Sequence, residues 1–81
     1  MTNEKIEVLS PEQLLQLASK GFTLRVYPHL VMIIIYDQMP DANQLRDILD
    51  AIGDRQLKLP KYAIGPHHEY WIEINLPKEE Q

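Results

Sequence analysis

His67, His68 and Glu69, with His29 elsewhere, are the one set of residues in the chain whose types suit a metal ion. Imidazole binds zinc well, but a structural zinc site needs four ligands at set spacing and a catalytic one usually three. Adjacent histidines in an extended segment point apart, and this pair follows Gly65-Pro66, where a turn already accounts for exposed polar residues. No metal is therefore assigned. Arg55, Lys58 and Lys61 precede the same turn. Together with His67 and His68 they form a basic segment able to hold an anion or a small ligand, although a solvated loop explains them as well. Asp47, Asp50 and Asp54 recur along one side of a helical pattern, as the exposed polar face of a helix does.

Nucleophilic chemistry finds less support. Cysteine is absent, so thiolate nucleophiles, disulfides and cysteine-bound metals are excluded. Ser10 stands at a helix start and Ser19 in a last helical turn, neither beside a base. The three glycines, at 21, 53 and 65, are too scattered to make a phosphate loop. Asp37 and Asp41 flank one loop as a carboxylate pair would, but Asp41 has a capping role of its own. Lys20-Gly21-Phe22 opens in the manner of the RNA-binding strand signature, yet Thr23, Leu24 and Arg25 break the pattern and Gly21 is explained as a helix stop. The formal charge of −4 also argues against binding that depends on phosphate neutralisation. No catalytic residue or cofactor is assigned, and the expectation is a non-enzymatic protein.

The elements that would position these residues are well marked. Eighty-one residues suggest one domain, over 1–77, with a disordered charged tail over 78–81. Alternation over residues 5–9 predicts a first strand with Ile6 and Val8 inward. Ser10-Pro11-Glu12-Gln13 predicts a helix start, with Ser10 as N-cap, Pro11 in the first turn and Gln13 closing a capping box. Leu9 and Leu14 occupy the hydrophobic-staple positions, and Gly21 ends the helix. Residues 22–27 predict a strand, Pro28-His29 a tight turn, and 30–36 a second strand. Asp41 and Gln44 repeat the capping box ahead of a helix that Gly53 ends. Residues 54–60 predict a loop or short edge strand, and 61–64 and 69–76 two strands joined by the turn 65–68. No internal repeat is apparent. The fold class is α+β: a two-layer sandwich with two helices on one face of a mostly antiparallel sheet, in the ferredoxin-like order β-α-β-β-α-β(β).

The strand Leu30-Val31-Met32-Ile33-Ile34-Ile35-Tyr36 is apolar on both faces, although a strand covered on one side should alternate. Alternation alone does not fix which parity of 30–36 faces the helices, and either choice leaves an apolar stripe outside. Helices covering Ile6, Val8, Phe22, Leu24, Val26, Ile72 and Ile74 would leave Val31, Ile33, Ile35, Tyr27 and Trp71 on the other face. That face is either covered by residues 54–61 or the C-terminal segment, or it meets a second protein. The expected interface is Val31, Ile33, Ile35 and Trp71, with Tyr27 and Arg25 at its rim. Its partner would be a second copy (a homodimer) or another protein. The apolar run is too short for a bilayer span, which needs about 20 residues. With no secretory signal at the polar start, a cytoplasmic interaction or regulatory module is expected, with small-ligand or anion binding at 55–68 as the alternative.

Overall fold

The computed structural model describes residues 8–76. Its elements run α1 (Pro11–Ser19), β1 (Thr23–Tyr27), β2 (Leu30–Tyr36), α2 (Ala42–Ile52), β3 (Gln56–Lys58) and β4 (Glu69–Asn75). The strands form one open antiparallel sheet in the order β1-β2-β4-β3. Both helices lie on the same side of it, giving an α+β architecture in two layers. Among the described residues the order is α-β-β-α-β-β, the expected order without its first strand, and the ferredoxin-like arrangement is not confirmed. Residues 5–7 of the expected first strand, Ile6 included, lie outside the described residues. Val8 and Leu9 are a bend rather than a strand, although both are buried. The tail over 78–81 also lies outside.

The helices begin where capping chemistry says they should. The Ser10 hydroxyl accepts from the Gln13 backbone N–H at 3.2 Å, while Gln13 Oε1 accepts from the Ser10 N–H at 2.8 Å. Asp41 and Gln44 make the same reciprocal pair, at 2.8 and 3.0 Å. Each box satisfies donors that the first helical turn leaves free. Gly21 and Gly53 follow with φ of 91° and 66°, a left-handed backbone that other residues adopt at a cost.

The helices run antiparallel. Gln13 near the start of α1 donates through Nε2 to the Ala51 and Ile52 carbonyls at the end of α2, and Lys20 after α1 approaches Asp47 midway along α2. Strand order, strand directions and the helix pair together describe two αββ units, α1-β1-β2 and α2-β3-β4. A two-fold operation through the β2–β4 seam exchanges them. This relation is not visible in the spacing of the sequence, where no repeat was expected.

The core overturns one sequence-based assignment. Val31, Ile33 and Ile35 point to the helices, where they pack with Leu17, Ile48, Ala51, Ile52, Ile72 and Ile74. Ile33 is fully buried. They cannot form the core of an interface on the helix-free face. Register gives the reason. Ile33 pairs with Leu24 on one side and Ile72 on the other, and directly paired residues point to the same face. Leu24 and Ile72 were rightly placed toward the helices, so Ile33 had to follow them. Each such side chain contributes roughly 1.5–3 kcal/mol by leaving water.

Candidate functional site

The helix-free face carries the other parity. Leu30, Met32, Ile34 and Tyr36 run along β2, with Thr23, Arg25 and Tyr27 on β1 and Glu69, Trp71 and Glu73 on β4. It is not an open apolar plane. Met32 and Ile34 are buried, at 7 % and 3 % exposure. In register, Met32 stands between Arg25 and Glu73, and Ile34 between Thr23 and Trp71. With the stems of Arg25 and Glu73 beside Met32 and the Trp71 indole beside Ile34, this spine keeps little contact with water.

The two halves of this face differ. Between β3 and β4 the chain makes an excursion over residues 59–68. Its expected strand over 61–64 is not formed: Ile64 makes a single bridge to Glu69. Pro60 removes a ladder donor just before that segment, and Gly65-Pro66 turns the chain just after it. Leu59, Pro60, Lys61, Tyr62 and Ile64 of the excursion face Lys58, Trp71 and Glu73 across an open cleft of about 270 Å³. Trp71 Nε1 donates to Glu69 Oε1 at 2.8 Å, fixing the indole against its own strand. The excursion therefore stands over part of β4, one of the coverings expected from sequence, though through residues 59–64 rather than the whole of 54–61.

The β1 side has no such cover. Tyr27 and Tyr36 are each 44 % exposed, and Val26 at the end of β1 is 57 % exposed although its parity faces the helices. Val26 was expected in the core and is not. Among the described residues β1 is also an edge, paired only with β2. Of the expected interface residues, Tyr27 and Arg25 thus lie on open surface, Trp71 lines the cleft, and Val31, Ile33 and Ile35 are core.

The basic segment is divided. Lys58 and Lys61 reach the cleft, whereas Arg55 is tied down elsewhere, donating through Nε to the Val8 carbonyl at 2.6 Å and pairing with Asp54 at 2.8 Å. That bond holds the buried Val8-Leu9 bend in place, a packing role with no local signal in the chain. His67 and His68 are exposed in the turn before β4 and do not line the cleft. His68 has φ of 50° and its carbonyl accepts from the Asp37 N–H at 2.9 Å, so its placement has a backbone reason. Among the described residues no group of three or more His, Cys, Asp or Glu side chains is arranged to hold a metal ion. Ser10 is used in its cap, and the Ser19 hydroxyl donates to the Gln16 carbonyl at 2.7 Å. Tyr62, the most exposed large apolar side chain described, was missed from sequence. Its position between Pro60 and the Gly65-Pro66 turn was the available signal.

No protein-family model, curated protein or solved structure matches the chain. Among the described residues no helix is long and apolar enough to cross a membrane.

Proposed function

We propose that this protein is a small cytoplasmic, non-enzymatic interaction module with a regulatory or adaptor role, and that it associates through the β1 edge and the adjoining part of the helix-free face. One observation carries this reading: among the described residues the five-residue strand β1 is paired on one side only, and its last two side chains, Val26 and Tyr27, are exposed on opposite faces of the sheet. An edge strand offers a row of unpaired N–H and C=O groups to any extended segment that can align with it. The opposite edge is a poorer template, because β3 has three residues and Pro60 follows closely. The occupant best suited to β1 is the same strand of a second copy. A two-fold axis makes two identical edges antiparallel, so both sheets continue as one. Arg25 on the helix-free side disfavours registers that set it opposite itself.

Light scattering over a wide concentration range tests this. The expected result is a dimer that dissociates on dilution, and a Val26→Lys variant that stays monomeric and melts at the temperature of the dissociated wild type. A wild-type chain that remains monomeric at every concentration would remove self-association and leave only a different protein as partner. A dimer indifferent to Val26→Lys would move the contact away from β1.

A further inference from the structure

The cleft under the 59–64 excursion has chemistry that association through β1 does not use. We propose that it is a binding site for a small aromatic acid, a single planar ring carrying a carboxylate, sulfonate or phosphate group. The site stands independently of the β1 contact, since Val26, Tyr27 and Arg25 take no part in its lining.

Size comes first. A space of about 270 Å³ lies just below the roughly 300–1,000 Å³ usual for ligand pockets, which suits one ring with a short substituent. Ring recognition follows from Trp71 and Tyr62. The indole N–H is already spent on Glu69, so what Trp71 offers the cleft is its ring. Tyr62, 70 % exposed, lines the same cleft and has a ring free for a ligand to stack on.

Charge selects the substituent. Lys58 and Lys61 both line the cleft, and among the described residues neither makes an ion pair. Glu73 is the one acidic side chain in the lining, standing opposite Lys58 in register, and the neighbouring Glu69 carboxylate is engaged by the Trp71 indole N–H. That leaves Lys61, out on the excursion, as the free cation for the anionic group, with Lys58 in support. The acidic row Asp47, Asp50 and Asp54 belongs to α2 and its exit, on the other layer of the fold.

Trp71 is the only tryptophan in the chain, so its emission reports this site alone. Benzoate is the probe, with benzyl alcohol as the neutral ring and acetate as the anion without a ring. The expected result is a saturable change in Trp71 emission with benzoate, at a dissociation constant on the order of 1 mM for so small a ligand. Benzyl alcohol and acetate should each bind several-fold more weakly. The double variant Lys58→Gln, Lys61→Gln should weaken benzoate about tenfold, as loss of charge-assisted contacts does. Tyr62→Ala should weaken it too, and Lys20→Gln on the helix layer should not. Three results would each overturn the proposal: no saturation with benzoate, an equal response to benzyl alcohol, or benzoate binding untouched in the lysine double variant.

Discussion

The two αββ units share a skeleton and differ in one connection. Each starts with a capping box, Ser10 to Gln13 in the first and Asp41 to Gln44 in the second. Each then has a helix, a glycine at positive φ, an edge strand and a central strand. In the first unit the edge and central strands are joined by Pro28-His29 alone, while in the second the chain wanders over residues 59–68. The short turn leaves β1 a long bare edge. The long excursion leaves β3 a stub, but it adds Leu59, Lys61 and Tyr62 over β4. The common parts are those that build the core. The differing part is where exposed aromatic and cationic side chains collect, as expected when loops carry function on a rigid frame.

The largest effects should fall on the shared core. Ile33→Ala, at the centre of the sheet, is expected to cost about 2–5 kcal/mol, and Ile33→Lys to prevent folding at all. Val26→Ala, seven residues away on the edge, should stay within about 0.5 kcal/mol of wild type. Urea unfolding of the two alanine variants measures this directly, and far-ultraviolet circular dichroism reads the loss of fold in Ile33→Lys. Equal costs at Ile33 and Val26 would mean that β1 is covered as fully as β2.

A smaller difference separates the two capping boxes. Gln44 serves its own helix, whereas Gln13 closes its box with Oε1 and reaches the last carbonyls of α2 with Nε2. Gln13→Leu is therefore expected to cost about 2 kcal/mol and Gln44→Leu about 0.5–1 kcal/mol, from one box plus two orphaned carbonyls against one box. Gln13→Glu keeps the acceptor but sets a negative charge against the negative end of α2, so it should fall no closer to wild type than Gln13→Leu. Denaturant midpoints for the three variants decide it, and a harmless Gln13→Glu would mean that the inter-helix bonds carry no stability.

Local chemistry made much of this fold readable in advance. Both helix starts, both stops, the strand Leu30–Tyr36 and the turn before β4 follow from caps, glycines and alternation. The misplaced face of β2 was also within reach. A two-residue turn at Pro28-His29 pairs Tyr27 with Leu30 and so brings Leu24 opposite Ile33. Assigning Leu24 to the helices and Ile33 away from them contradicted that turn. What sequence could not show was order in space. Two αββ units with dissimilar loops leave no constant spacing to detect. The burial of Met32 and Ile34 involves Glu73 and Trp71, which pair with them from a strand distant in the chain. The cleft was only half legible: Lys58 and Lys61 were singled out, but the side chains that join them, Tyr62 and Trp71, were not grouped with them.

The smallest effect concerns the turn that closes the long excursion. Gly65 and His68 both have positive φ, at 77° and 50°. A Cβ at Gly65 meets nothing within 4 Å, so Gly65→Ala tests the backbone alone and should cost about 1 kcal/mol. His68 already bears that strain, held by the Gly65 carbonyl on its N–H at 3.2 Å and by Asp37 on its carbonyl. His68→Gly relieves the strain but gives the unfolded chain more freedom, and the two terms offset. The net change should lie between zero and about 1 kcal/mol of stabilisation, visible as an unchanged or slightly higher melting temperature. A clear loss of stability would show that the imidazole itself holds the turn, and the segment from Gly65 to His68 would then be built on a side-chain contact rather than on its backbone.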